Sequence, residues 1–496
     1  MDESGIEQAV QEIVNSPFRD YYRCPEGFGG FTLRGNLSES RGYFCLGPDV
    51  ICYGRCSGGA PDPDVTDELH DALRDVVADE NTLRLPFDPS EIIENLRYER
   101  YASPGEGPGA TVCGNSLLRQ AYYFVRPLLP VAVRKHLQRV QLRDWEEIRF
   151  PAWPVDVTVE LILEKLLVCL LQAGWADKIP FIWFWPDGFP SCAIMTHDVE
   201  TEAGRDFCSG LMDLDDAYRI KSSFQVIPEG RYRVSESFLQ EIRRRGFEIN
   251  VHDLNHDGRL FNNWERFLVR AERINKHGRE FGAAGFRSAV LYHNLDWYGA
   301  LDFSYDMSVP SVGHLEAQRG GCCSVMPFFV GKVLELPVTT TQDYSLFHIL
   351  NQHSTDLWKR QTARIMEKHG LASFIIHPDY LAEARARDTY KSLLAHLADL
   401  RSQRNMWIAL PGEVNQWWRA RSQMKLVPEG KAWMIEGPES DRARVAYAVL
   451  QDERLHYEVE PQGNCRRPPA EEYARVSRLT RTMAMGDKVM MHEQEL

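Results

Sequence analysis

Between about residue 178 and residue 410 the chain alternates short apolar runs with longer amphipathic stretches. This rhythm limits the fold more than any other feature. The apolar runs fall at 181–184, 193–195, 223–226, 247–251, 283–286, 333–336, 373–376 and 406–410. Helix-period patterns lie between several of them, at 235–245, 263–277, 345–369 and 382–402. A short apolar run without polar alternation fits a strand buried on both faces, as in a parallel sheet covered by helices. Repeated strand–helix units over this length predict an α/β fold whose parallel sheet closes, or nearly closes, into a barrel. No repeat of roughly 20–50 residues is visible, which argues against a solenoid.

At 496 residues the chain exceeds what one ordinary core supports, so flanking regions are expected. Residues 1–150 read as an irregular N-terminal region with Gly- and Pro-rich breaks and helical patterns at 65–78 and 115–125. Residues 151–177 read as a connecting helix. Its apolar stretch 161–174 is interrupted by Glu164, Lys165 and Gln172, too short and too polar to span a membrane. Residues 178–412 hold the barrel pattern. Residues 413–496 read as a helix over 413–424 and a small α+β appendage with strands at 432–435, 445–450 and 455–459, then a charged tail.

Charge and cysteines narrow the partners. The net charge, 57 − 71 = −14, argues against nucleic acid and against an anionic membrane surface. The opening Met1-Asp2-Glu3-Ser4-Gly5-Ile6-Glu7 is acidic and lacks an apolar h-region, so a cytoplasmic protein is expected. Eleven scattered cysteines then read as reduced thiols. Cys24, Cys45, Cys52 and Cys56 lack the paired C-x-x-C that would make a zinc knuckle.

Polar side chains collect where the apolar runs end, the end at which parallel sheets place ligands and chemistry. The run 193–195 leads into Thr196-His197-Asp198-Val199-Glu200. Two carboxylates one residue apart share a side of an extended chain, one able to hold a metal and the other to face a bound water. After 247–251 comes His252-Asp253-Leu254-Asn255-His256. If the chain turns helically there, the two imidazoles point one way and can share a metal; surface or capping roles are the alternative. Arg287 follows 283–286 and can hold a carboxylate ionised, or be a solvated loop residue. His377, before Pro378, suits a proton donor. Asp343, after 333–336, can orient a facing imidazole. Tyr292, Trp297 and Tyr298 are available to stack on a ligand ring or to pack in the core or on the surface.

Taken in order, these strand ends resemble the motifs of the NodB-homology polysaccharide deacetylases, carbohydrate esterase family 4 and its relatives. The first motif is matched by Thr196-His197-Asp198-Val199-Glu200, the second by His252-Asp253-Leu254-Asn255-His256, the arginine motif by Gly285-Phe286-Arg287-Ser288 and the last by Ile375-Ile376-His377-Pro378. The stretch 301–308 resembles the strand that follows the arginine motif. The matches cover roughly 190–410, under half the chain. The resemblance implies a distorted (β/α)7 barrel with one divalent metal, zinc in the first instance, with cobalt, nickel or iron as alternatives. It implies Asp198 as general base, His252 and His256 as metal ligands with Glu200, Arg287 as the partner of the base, His377 as general acid and Asp343 as its tuning residue. The implied activity is hydrolytic N-deacetylation of a carbohydrate, whether polysaccharide, lipid-linked or nucleotide sugar. Two departures stand out: the family's adjacent aspartates are replaced by Asp198 and Glu200 around Val199, and the proline after the arginine is absent. Hydrolysis of another C–N bond or an O-acetyl ester, and a catalytically silent glycan-binding or scaffolding barrel, are the rival expectations.

Overall fold

A computed structural model of the chain describes residues 12–13, 16–25, 27–28, 30–79, 82–102, 142, 145–174, 176–316, 320–430, 432–461 and 465–466. The helix expected over 115–125 and the charged tail lie outside the described residues. Among the described residues up to 102 there are six short strands: β1 (Glu12–Ile13), β2 (Phe31–Leu33), β3 (Gly42–Cys45), β4 (Ile51–Gly54), β5 (Val77–Ala78) and β6 (Leu83–Leu85). Four pair in the order β1-β2-β6-β5, and β3 and β4 form a separate hairpin. The helix expected over 65–78 is not formed. Only the 3-10 turn Ala72–Asp75 is helical, because Cys45 N–H takes the His70 carbonyl and a bridge pairs Cys45 with Asp71. Tertiary pairing consumes the groups a helix would have used.

The apolar helix read between 161 and 174 runs over Thr158–Gln172 and is buried along one side. Next comes β7 (Lys178–Ile182), which the sequence rhythm counts with the barrel strands. It pairs instead, antiparallel, with a strand near the C-terminus. Pro180 can give no ladder N–H, which suits β7 to the edge it occupies in a three-stranded sheet.

The main sheet has nine strands: β8 (Cys192–Val199), β9 (Ser223–Val226), β10 (Glu248–His252), β11 (Gly285–Arg287), β12 (Tyr305–Asp306), β13 (Phe328–Val330), β14 (Val333–Glu335), β15 (Leu371–Ile376) and β16 (Trp407–Ala409). Their order is β13-β14-β12-β11-β10-β9-β8-β15, parallel except for the β13–β14 hairpin. β8 is its axis, with all eight residues buried. It pairs with β15 along one side and, along its length, with both β16 and β9. The β-ladders do not join β14 to β15. The two edges nevertheless meet: Thr339 Oγ1 donates to Leu371 O (2.7 Å), Thr340 Oγ1 donates to Ser373 O (2.7 Å), and Ser373 N–H returns a bond to Thr339 Oγ1 (2.9 Å). The sheet is thus curled, with a seam made by side chains.

Helices Glu202–Ala217, Glu236–Arg244, Trp264–Phe281, Asp356–Glu367 and Ala384–Ser402 cover its outer face. The first was not visible as a periodic pattern. The single helix expected over 345–369 is broken into the π-turn Ser345–Ile349 and Asp356–Glu367. A second core lies under the sheet, where Trp183 and Trp185 meet Phe18, Tyr22, Leu163 and Trp417 from the N-terminal region, the connecting helix and the C-terminal helix Pro411–Gln423. Beyond that helix, β17 (Lys425–Glu429) and β18 (Ala432–Glu436) form a hairpin, β19 (Val445–Gln451) and β20 (Arg454–Val459) extend from β7, and β21 (Cys465–Arg466) pairs with β18. The described cysteines whose side chains are placed are free thiols. Among the described residues no helix is long and apolar enough to cross a membrane.

Candidate metal centre and active site

The two-residue period of β8 sorts its end into two sets. His197 faces the helices, where its Nε2 lies 3.0 Å from Asp215 Oδ2. Thr196 and Asp198 face the inside of the curl, and Glu200 continues that set. Asp198 is 4% exposed and accepts from Arg287 Nη1 at 2.6 Å. The same nitrogen reaches Thr196 Oγ1 (2.8 Å), while Arg287 Nε donates to Met307 O (2.9 Å). Burial pushes the Asp198 carboxyl up, but the Arg287 guanidinium and then His252 and His377 outweigh it and leave it below the ordinary aspartate value. Asp198 is therefore ionised at neutral pH.

His252 ends β10, one strand from Arg287 and in register with it. Its Nδ1 lies 3.2 Å from the Arg287 carbonyl, which can only accept, so that nitrogen carries a proton and Nε2 points inward. The chain does not turn helically after His252, as the H-x-x-x-H spacing allowed. Asp253 and His256 both adopt left-handed backbone (φ 55° and 56°), and Asp253 Oδ1 accepts from Leu254 N–H. Arg231, remote in sequence, fixes this loop by donating to the carbonyls of Asn255 (3.3 Å) and His256 (2.7 Å).

The result is a hub at Glu200 Oε1. It stands 2.8 Å from His256 Nε2, 3.4 Å from His377 Nε2 and 3.7 Å from His252 Nε2. Asp198 Oδ2 is 3.7 Å from His252 Nε2 as well. Donor atoms of Glu200, His252 and His256 all lie within 4.8 Å of one another, the one such group among the described residues. Both histidine Nε2 atoms are buried and make no well-aligned hydrogen bond; the polar group nearest each is a carboxylate. Two converging imidazole nitrogens and a carboxylate fit a divalent cation, and the donor set suits zinc, cobalt, nickel or iron. The other nearby carboxylates are placed differently. Asp257 is held by Arg270 through two bonds (2.8 and 2.6 Å), and Asp253 stays on its own loop backbone.

Across the mouth, His377 follows β15. Its Nδ1 lies 2.6 Å from Asp343 Oδ1, and its backbone N–H donates to Asp343 Oδ2 (2.8 Å). Burial pulls the imidazole down, but Asp343 first and Glu200 next hold it well above the ordinary histidine value. A buried imidazole kept protonated by a carboxylate behind it is equipped to give up a proton. One rung below, Leu291, Val338 and Ile375 form a small apolar cluster.

All seven residues singled out in the sequence thus meet in one cluster. Thr196, which helps hold Arg287, was visible in the period of β8 but had been given no task; Arg231 left no sequence signal. Of the aromatic candidates, Tyr298 is fully buried and bonds Asp306 (3.0 Å), so it cannot stack on a ligand. Trp297 and Tyr292 are partly exposed.

No family model and no curated protein matches the chain. Solved structures similar to it include members of the family its motifs resemble. A Mycobacterium smegmatis protein assigned as a polysaccharide deacetylase aligns with 17% identity and a TM-score of 0.40, covering 51% of this chain and 98% of that one. PuuE allantoinase aligns with 10% identity and a TM-score of 0.37, over 47% and 92%. A family 4 acetyl xylan esterase from Clostridium thermocellum, in complex with cobalt, aligns with 14% identity and a TM-score of 0.28, over 46% and 91%.

Proposed function

We propose that this chain is a divergent NodB-type deacetylase on a distorted (β/α)7 barrel, a metal-dependent hydrolase that removes N-acetyl groups from a carbohydrate. The observation that carries the reading is the Glu200 hub, where imidazole nitrogens converge between an ionised Asp198 and a protonated His377. In this reading the barrel lies within residues 178–412 without β7, and the described parts of 1–150, the connecting helix 151–177 and 413–496 pack against it.

Glu200, His252 and His256 would hold the ion. A divalent ion bound there supplies Lewis-acid polarisation of a carbonyl and makes water more acidic. Asp198, kept ionised by Arg287, takes the proton from the attacking water. His377, positioned and charged by Asp343, gives its Nε2 proton to the departing amine. The base and the acid stand on different strands, so each has its own environment and its own proton affinity.

The test is acetate release from a panel of N-acetylated sugars, with and without chelator. Wild type is expected to release acetate and to lose that activity when its metal is removed. Asp198→Asn should be slower by about two to four orders of magnitude while remaining folded. Full activity in this variant would remove Asp198 as the base.

A further inference from the structure

The rim beside His377 carries four partly exposed side chains that the chemistry above does not use: Tyr344, His348, Asp379 and Tyr380. Tyr380 lies against the His377 ring, with centroids 4.9 Å apart and planes inclined by 33°. His348 meets Tyr380 edge-on at 4.8 Å and 82°. Tyr344 completes the group at 5.4 Å from His348 and 6.3 Å from Tyr380. The backbone cause is the π-turn Ser345–Ile349 just after Asp343, a wide turn of a kind frequent at functional sites.

Asp379 adds a polar group of a specific kind. It follows Pro378, and its backbone and Cβ pack close to Gly204 at the start of helix Glu202–Ala217. Its Oδ1 is buried with no hydrogen-bond partner among the described residues. An unpaired buried acceptor costs free energy that an incoming hydroxyl would recover. Aromatic faces with a convergent carboxylate acceptor match a sugar ring, whose C–H faces are apolar and whose edges carry hydroxyl donors.

We propose that Asp379, Tyr380, His348 and Tyr344 form a pyranose-binding subsite beside His377, in which Asp379 Oδ1 accepts from a free ring hydroxyl and the Tyr380 ring packs against the sugar. The location beside the proton donor rests on the function proposed above, and it assigns the leaving-group side of the substrate to a sugar ring that carries a free hydroxyl.

Equilibrium binding of gluco-, galacto- and mannosamine oligomers, N-acetylated and about four units long, to the full metal-loaded chain tests this by calorimetry. At least one oligomer should bind. Asp379→Ala and Tyr380→Leu should weaken it about tenfold or more, whereas Tyr380→Phe, which keeps the ring, should stay within about twofold. Thermal midpoints check that each variant is folded, and the Tyr380 pair decides the matter if Asp379→Ala is not. Binding that ignores every substitution, or no binding to any oligomer, overturns the subsite. Acetate release alongside insensitive binding leaves the hydrolase and removes the subsite. The expected binding pattern without acetate release does the reverse.

Discussion

His377 draws its character from a residue 34 positions away. Asp343 binds both its backbone N–H and its Nδ1, and the carboxylate holds the imidazole charged against the pull of burial. The charged form of a proposed acid is lost as pH rises through its pKa, so this pair sets the alkaline limb of the activity profile. Asp343→Asn removes the negative charge, and His377 then releases its proton at lower pH. The alkaline limb is expected to move down in pH, with lower activity already at neutrality, in acetate release measured across pH. An unmoved limb would show that Asp343 does not tune His377. The sequence placed both residues at the rim and the family resemblance implied their partnership; the contact supplies its geometry.

Two elements deserve separate tests. The loop after β10 presents His252 and His256 through left-handed backbone at Asp253 and His256, not through a helical turn. The double variant His252→Ala/His256→Ala should purify nearly free of divalent metal by elemental analysis, and unchanged metal content would remove both as ligands. The seam between the sheet edges depends on hydroxyls. In Thr339→Val the shape is kept, but Leu371 O and Ser373 N–H lose their partner in a buried place. A loss of about 1–3 kcal/mol in denaturant unfolding is expected, because Val cannot replace the hydroxyl. Equal stability would mean that the ladders alone hold the curl.

At the scale of the molecule, the N-terminal region, β7, the connecting helix and the C-terminal helix share one core beneath the sheet. Arg421 is fully buried there and donates to the carbonyls of Tyr21 (2.7 Å), Ile182 (2.6 Å) and Trp183 (3.0 Å), tying three distant segments together. Glu160 joins the connecting helix to the loop before β13, accepting from Ser324 Oγ (2.6 Å). Burial raises its carboxyl to about 7. An unfolded glutamate releases its proton near ~4.3, so between those values the folded chain binds more protons and its stability falls as pH rises. Glu160→Gln, neutral throughout, should narrow the difference in melting temperature between pH 5 and pH 8. Part of the fall should persist, since burial also raises Glu316 to about 7. A difference as large as wild type's would exclude Glu160 as a contributor.

What the sequence determined by itself was the identity of the polar groups at the strand ends. A strand's two-residue period and the abrupt change from apolar run to polar cluster are local properties, so Asp198, Glu200, His252, Arg287 and His377 could be read without coordinates. The strands at 223–226 and 373–376 were readable for the same reason. Tertiary structure alone decided what depends on pairing through space. It removed β7 from the main sheet, replaced the expected helix at 65–78 by bridging to β3, buried Tyr298 and joined the sheet edges through threonine hydroxyls. It also made Glu200 Oε1 the point where three imidazoles converge, because that point exists only once β8, the loop after β10 and the end of β15 are held side by side.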